Sequence, residues 1–233
     1  MNITTIVNNF CEKRLIGNPE YFSSFSALLI SIIPYVGLTN SKHISNTAYN
    51  IYMLLIITGL TSFGYHWTGW YLFKHLDEIP MLLSIWTGIL HLSEQYKRNF
   101  KLNFIINSYF TFILALNTIP SYQFLFPIMF SIALLSIIPL LFLKHKIYKY
   151  SFQKFEIYKL SSIGIFLSSL SGLIWLISEH FCSYKFILAH SFWHFGIGMG
   201  VYYIIVSEEI LKNLKQKKNV KIKYLYKIIP IIN

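Results

Sequence analysis

Long apolar runs constrain the fold of this chain more than any other feature. A helix needs about 20 apolar residues to cross the hydrocarbon core of a bilayer. Runs of about this length, separated by polar or basic clusters, occur at roughly residues 22–39, 47–70, 76–94, 103–118, 121–143, 157–179 and 185–211. The fourth run is short and its join to the fifth, near Asn117 and Pro120, is tight, so six or eight spans are alternatives. The pattern predicts an all-α, polytopic membrane protein built as a seven-transmembrane helix bundle.

Composition favours a membrane protein over a soluble one. Hydrophobic residues make up 55% of the chain and charged residues 12%, whereas soluble domains average about 25% charged residues. The net charge of +11 is explained more simply by lysines beside phospholipid headgroups than by nucleic acid, so no nucleic-acid partner is expected. No internal repeat or low-complexity linker divides the sequence, which predicts one domain over residues 1–233.

The distribution of lysine and arginine predicts the orientation of the bundle, because short cytoplasmic loops carry an excess of both. With seven spans, four of these residues fall on the side of the N-terminus and sixteen on the other side. The N-terminal segment, about residues 1–21, is therefore expected to be lumenal or extracellular. The segment of about residues 212–233 is expected to be a basic cytosolic tail, and Glu208 and Glu209 before it are expected to be solvated.

The two cysteines, Cys11 and Cys182, both fall on the predicted lumenal side. In the secretory pathway that side is oxidising, and disulfides form there. A bridge between the two would tie the N-terminal segment to the loop after the sixth span, while two unrelated thiols are the alternative. Lumenal cysteines are consistent with the endoplasmic reticulum, the Golgi or the plasma membrane.

Four ionisable residues of the predicted spans lie at the lumenal end of the bundle. His66 lies near that end of the second span, Asp77 at the start of the third, and His190 and His194 in the first turns of the seventh. Ser62 precedes His66 by one helical turn, and His190 precedes His194 by the same spacing, so each pair shares a helix face. Ionisable groups in a span cost about 2.5–3.5 kcal/mol on insertion scales and are functional by default.

Three imidazoles suit zinc, and catalytic zinc sites leave a fourth position for water, whose pKa falls to about 7. The motif H-S-F-W-H lacks the internal glutamate of the soluble H-E-x-x-H metalloproteases, so Asp77 is predicted to manage protons instead. Ser62 is predicted to donate a hydrogen bond to the oxyanion that forms when a carbonyl is attacked. The alternatives are hydrogen-bonded core histidines and an aspartate that caps the third helix.

The S-x-x-x-H, aspartate and H-x-x-x-H pattern of these residues resembles a superfamily of seven-helix metal hydrolases that also includes adiponectin-type receptors. Within it, the chain is similar to the alkaline ceramidase family. That narrower resemblance rests on L-D-E-I-P-M at 76–81, C-E at 11–12, E-Y-F-S-S-F-S at 20–26 and W-L-I-S-E-H-F-C at 175–182. It covers nearly the whole chain.

The resemblance implies hydrolysis of the amide bond of ceramide, which gives a sphingoid base and a free fatty acid. It implies zinc on the three histidines, with Asp77 as general base and then acid and Ser62 at the oxyanion. A disulfide between the two cysteines and a lumenal N-terminus are implied as well.

The resemblance also implies a calcium site, with Glu12, Glu20 and Asn9 as candidate ligands. Calcium takes several hard oxygen ligands. Arg14 stands where the family has a neutral asparagine, and Asn9 stands where it has an aspartate. A cationic side chain in this segment opposes calcium binding.

Two other functions stay open on the sequence. One is a hydrolase or receptor of the same superfamily for another lipid, although the receptor type would have the opposite orientation by the lysine rule. The other is a non-enzymatic membrane protein in which a metal or a histidine–aspartate network only braces the bundle.

Overall fold

The computed structural model describes residues 10–96, 100–119, 125–147, 152–216, 221–226 and 228–232. Within these ranges the chain is mostly helical, with a short hairpin near its C-terminus. The elements are α1 (Cys11–Ile16), α2 (Tyr21–Asn40), α3 (Asn46–Thr68), α4 (Tyr71–Tyr96), α5 (Phe100–Asn117), α6 (Phe126–Ile147), α7 (Phe152–His180), α8 (Ala189–Lys215), β1 (Ile222–Leu225) and β2 (Ile229–Ile232).

Helices α2 to α8 follow the seven apolar runs of the sequence in order. Among the described residues, three helical segments are long and apolar enough to cross a membrane: Tyr21–Asn40, Asn46–Thr68 and Glu156–His180. A shorter apolar segment covers Phe126–Pro139. The fold is therefore that of an all-α membrane protein, and the number of spans stays a prediction.

The packing of the helices decides which of their ends meet. Helix α3 packs against α2 and α4, α8 packs against α2 and α7, and α4 also contacts α5 and α6. Small residues allow the close approach of α7 and α8, because a Cβ on Gly200 would lie 2.6 Å from the carbonyl oxygen of Gly164. This arrangement brings the end of α3 and the starts of α4 and α8 together.

The C-terminal hairpin closes the opposite end of the bundle. Its strands are antiparallel, with Ile222 opposite Ile232. The Tyr202 hydroxyl on α8 donates to the Pro230 carbonyl over 2.6 Å, and the Ile232 N–H donates to the Ser41 hydroxyl over 3.2 Å. The segment expected as a basic tail therefore contains a packed hairpin, because its apolar residues find a surface on α2 and α8.

The hairpin also contacts α7. The Tyr224 hydroxyl donates to the Glu156 carboxylate over 3.1 Å. Desolvation, followed by the charge of Glu156, raises the pKa of Tyr224 to about 12. The hydroxyl therefore stays a hydrogen-bond donor at physiological pH.

Two glutamates near the end of α8 differ from expectation. Glu208 and Glu209 are buried rather than solvated. Glu209 accepts hydrogen bonds from the N–H of Ser45, over 2.7 Å, and from its hydroxyl, over 2.6 Å. The prediction of solvated side chains is wrong. For Glu209, the start of α3 supplies the donors that a buried carboxylate needs.

Candidate active site

The end of α3 and the start of α4 carry two residues of the candidate site, His66 and Asp77. Gly69 adopts the left-handed conformation, with φ of 70°, and its N–H donates to the Tyr65 carbonyl over 2.6 Å. A glycine in this conformation stops a helix at little cost. The turn leaves His66 in the last turn of α3, and α4 begins at Tyr71. Asp77 therefore lies in the second turn of α4, close to His66 along the chain.

The three histidines of the predicted zinc site meet at this end of the bundle. Each offers one ligand atom, and the atoms from His66, His190 and His194 all lie within 4.8 Å of one another. All three side chains are buried. Among the described residues, this group has the geometry to hold a metal ion.

Hydrogen bonds to Nδ1 orient two of the rings. His66 Nδ1 lies 2.6 Å from a carboxylate oxygen of Glu20, an acceptor, so this nitrogen carries the proton. The Ser26 hydroxyl donates to the Ser23 carbonyl over 3.0 Å and lies 2.9 Å from His194 Nδ1. Since a hydroxyl has one proton, Ser26 accepts from His194 Nδ1. Both rings are left with Nε2 as the free ligand atom, as in metal sites whose histidines donate their other ring N–H to an acceptor.

The Glu179 carboxylate lies near the ring of His190. Its Oε2 accepts from the backbone N–H of Cys11 over 2.9 Å and from the Arg14 guanidinium over 3.1 Å. Its Oε1 lies 4.0 Å from His190 Nδ1. Arg14 and Cys11 thereby hold the carboxylate at the position from which it faces the third histidine.

Asp77 and Ser62 line the same cavity as the three histidines. Both are buried, and the Ser62 side chain lies near the Asp77 carboxylate. Asp77 lies beyond the first turn of α4, which begins at Tyr71, so it does not cap that helix. The structure thus brings together all five residues that the sequence assigned to catalysis or zinc.

The cavity around these residues has a volume of about 480 Å³. A second cavity of about 290 Å³ adjoins it, and the residues common to both walls include Ser84, Trp175 and Trp193. The second cavity extends to Ala48, in the first turn of α3, whereas His66 lies in the last turn. At 1.5 Å per residue, these two positions are about 27 Å apart along the helix. The mostly apolar space therefore runs from the histidines toward the other end of the bundle.

Aromatic rings cover the histidines from the side of the N-terminal segment. The Phe10 ring centroid lies 4.5 Å from that of His190 and 5.3 Å from that of His66. Trp175 packs on His190 with a centroid distance of 5.5 Å. Apolar cover of this kind limits the access of water to the site.

The candidate calcium ligands have protein partners in this structure. Glu12 accepts from the Phe22 N–H over 2.7 Å and from the Ser23 N–H over 2.9 Å, and so caps the start of α2. Glu20 is hydrogen-bonded to His66. Asn9 lies outside the described residues.

The disulfide joins Cys11 to Cys182 and fixes α1 against the loop after α7. It lies next to the Arg14–Glu179 ion pair on α1 and α7. Covalent and ionic contacts thus hold the N-terminal segment over the histidines.

The supporting roles of Glu20, Ser26, Glu179 and Phe10 were not predicted from the sequence. Glu20 and Ser26 delimit the segment 20–26, and Glu179 lies in 175–182, both of which carried the family resemblance. That resemblance was the available signal. The resemblance identified the two segments, but it did not indicate which side chain each of these residues would contact.

The structure thus buries three convergent histidines beside a carboxylate, at the end of a mostly apolar cavity. Comparison with known proteins identifies the family. The ceramidase family profile matches residues 4–233. The chain is also 22% identical, over 251 residues, to alkaline ceramidase 3 of Mus musculus, an alignment that covers 98% of this chain and 92% of that protein. The chain belongs to the ceramidase family and is a hydrolase of that type.

Proposed function

We propose that this protein is a zinc-dependent amidohydrolase of membranes that cleaves the amide bond of ceramide into a sphingoid base and a free fatty acid. The observation that carries the proposal is the meeting of three buried histidines with Asp77 and Ser62 in the wall of one cavity. Membership of the ceramidase family supports the choice of substrate class.

The donor set fits zinc. Three imidazole nitrogens within 4.8 Å of one another can surround one ion, and two of the rings are oriented by acceptors at Nδ1. Catalytic zinc sites use three protein ligands and tune them through such outer partners. Bound to His66, His190 and His194, zinc would polarise the carbonyl group and lower the pKa of a water molecule.

Asp77 and Ser62 supply the remaining chemistry. Asp77 takes a proton from the attacking water and later delivers it to the amide nitrogen, which leaves as an amine. The Ser62 hydroxyl, which lies by Asp77 in this structure, donates to the oxygen on which negative charge develops. Phe10, which packs on His66 and His190, limits the access of bulk water to both steps.

The two adjoining cavities suit a lipid with two hydrocarbon chains. The walls beyond the catalytic residues are mostly apolar, as the binding of alkyl chains requires. We take the protein to be one domain of seven spans, with a lumenal N-terminus and a cytosolic C-terminus. This orientation places the reaction at the lumenal leaflet.

Calcium is not expected to be required. Both oxygens of Glu12 accept hydrogen bonds from α2, and Glu20 is paired with His66. The Arg14 cation lies on the same short helix as Glu12. We expect turnover to be unchanged when a calcium-selective chelator is added at a concentration that leaves zinc bound.

The decisive experiment measures release of fatty acid from a defined ceramide by the detergent-purified protein, with zinc determined on the same sample. About one zinc per chain is expected for a three-histidine site, and His194→Ala should lose both metal and turnover. Turnover by a metal-free His194→Ala variant would overturn the zinc mechanism. Bound zinc without turnover on any ceramide would point to another lipid substrate or to a structural metal.

A further inference from the structure

A buried ion pair in the wall of the catalytic cavity has no part in the hydrolysis described above. Lys74 Nζ lies 3.3 Å from Glu78 Oε1, one turn along α4. The two side chains are only 11% and 9% exposed. Both residues line the cavity that holds the three histidines. A buried ion pair is a poor source of stability, so its position in a substrate cavity calls for another role.

The ion pair leaves one acceptor of Glu78 unsatisfied. Glu78 Oε2 is buried and has no hydrogen-bond partner among the described residues. The Asn117 amide lies beside this carboxylate without a hydrogen bond of ordinary geometry to it. Buried polar atoms without partners are rare in folded proteins. A ligand that donates a hydrogen bond would satisfy this oxygen.

The pair stands next to the proposed proton carrier. Glu78 follows Asp77 directly, and Lys74 precedes Asp77 by three residues on the same helix. Residues three and four apart on a helix are neighbours on its surface. A substrate whose amide is aligned with Asp77 would therefore place the atoms next to that amide near Lys74 and Glu78.

The chemistry of the pair selects a hydroxyl group. A hydroxyl can donate to Glu78 Oε2 and accept from the Lys74 ammonium at the same time. In a ceramide, the carbon that bears the amide nitrogen is bonded to a hydroxymethyl group on one side. On the other side it is bonded to the carbon that bears the secondary hydroxyl. The secondary hydroxyl leads into the alkyl chain, which the apolar cavity must take. The hydroxymethyl group is the free end of the lipid, and Lys74 lies toward the start of α4, at the end of the bundle.

We propose that Lys74 and Glu78 form a binding subsite for the primary hydroxyl of the sphingoid base, and so determine specificity for a 2-amino-1,3-diol headgroup. This inference rests on the proposed ceramide hydrolysis. A site that hydrogen-bonds a substrate hydroxyl rejects the analogue without it, because its own polar groups are then left unpaired.

The test compares ceramide with 1-deoxyceramide of the same acyl chain as substrates of the wild type, Glu78→Gln and Lys74→Met. The wild type should prefer ceramide by about 10- to 100-fold in kcat/KM, the range of one buried hydrogen bond to a charged group. Either variant should lose most of this preference by slowing on ceramide while keeping its rate on the deoxy substrate. Glu156→Gln, the same exchange on a carboxylate that contacts Tyr224 on the hairpin, should keep the preference.

Two results would overturn the subsite and leave ceramide hydrolysis standing. One is equal kcat/KM of the wild type on the two substrates, which needs no variant to fold. The other is an equal fall of both rates in variants that keep their metal content and thermal midpoint. If the wild type hydrolyses neither substrate, the proposed function fails and the subsite fails with it.

Discussion

Three carboxylates near the site have different roles because different groups face them. Glu20 faces a histidine ring and orients it, whereas Glu12 faces the free N–H groups at the start of α2 and caps that helix. Asp77 faces the cavity, with Ser62 as its neighbour. The role of each carboxylate therefore follows from the hydrogen-bond donors that lie near it.

Replacement of Asp77 by asparagine separates proton transfer from metal binding. The group of described residues that could hold the ion consists of His66, His190 and His194, so Asp77→Asn should keep the zinc and the fold. Loss of a general acid–base group should lower turnover by about 10²- to 10⁴-fold. Zinc content, thermal midpoint and kcat of the purified variant test this expectation. A parallel loss of expression, metal and activity would contradict the role.

Glu20→Gln tests the orientation of His66. The glutamate accepts from His66 Nδ1 over 2.6 Å, and its backbone N–H also donates to the His66 carbonyl over 3.1 Å. The amide can turn its oxygen or its nitrogen to the ring, so the correct tautomer is no longer enforced. Loss of such an outer partner costs about 10- to 100-fold in metal affinity.

Competition with a zinc chelator measures that affinity. Glu156→Gln, which makes the same exchange away from the histidines, should bind zinc as tightly as the wild type. Unchanged affinity in Glu20→Gln would show that helix packing alone sets the ring of His66.

Helix α1 and the preceding Phe10 are held against α7 and the loop that follows it by contacts of three kinds. The disulfide links Cys11 to Cys182, just after α7, Arg14 pairs with Glu179, and the Phe10 ring centroid lies 6.4 Å from that of Trp175. A six-residue helix such as α1 is too short to be stable alone. Its order depends on these contacts, and the cover of the site depends on its order.

Removal of the disulfide should loosen this cover. The bridge closes a sequence separation of 171 residues, and loss of a native bridge typically costs about 2–5 kcal/mol. The Cys11→Ser/Cys182→Ser double variant should unfold at a lower temperature than the wild type and release zinc faster to a chelator. Thermal unfolding with and without a reductant is the measurement, and the reductant should affect only the wild type. An unchanged midpoint would mean that the ion pair and α2 hold the segment without the bridge.

Features that follow from the local sequence pattern were predicted, whereas the specific hydrogen bonds between residues distant in sequence were not. The bounds of α2 to α8 were close to the apolar runs, since hydropathy is read locally along the chain. The convergence of His66 with His190 and His194 followed from their common depth in the predicted spans. The contact of Glu209 with Ser45, and the packing of Ile232 on α2, depend on residues more than 160 positions apart. A single sequence does not contain that information in its local pattern.

In the molecule as a whole, the proposed catalytic residues lie at one end of the helix bundle, and mostly apolar cavities that can hold hydrocarbon chains lie in its middle. The cavity with the histidines adjoins a second one that reaches the first turn of α3. Asp77 lies near the start of α4, and Gly88 lies in the wall of the second cavity on the same helix. The two positions are about 16 Å apart at 1.5 Å per residue. The depth available to a hydrocarbon chain is thus set by residues far from the reaction.

Gly88→Phe should change the choice of acyl chain without changing the chemistry. A Cβ at Gly88 would meet no atom within 4 Å, so the larger side chain starts in open space and fills part of the second cavity. Hydrolysis of a hexanoyl ceramide should be kept, whereas kcat/KM on a stearoyl ceramide should fall by about 10-fold or more, since each buried methylene contributes about 0.8 kcal/mol. Ala115→Phe, which adds a ring at an exposed position of α5, should leave the ratio of the two rates as in the wild type. If Gly88→Phe hydrolysed both ceramides in the wild-type ratio, the second cavity would not be the place of the acyl chain.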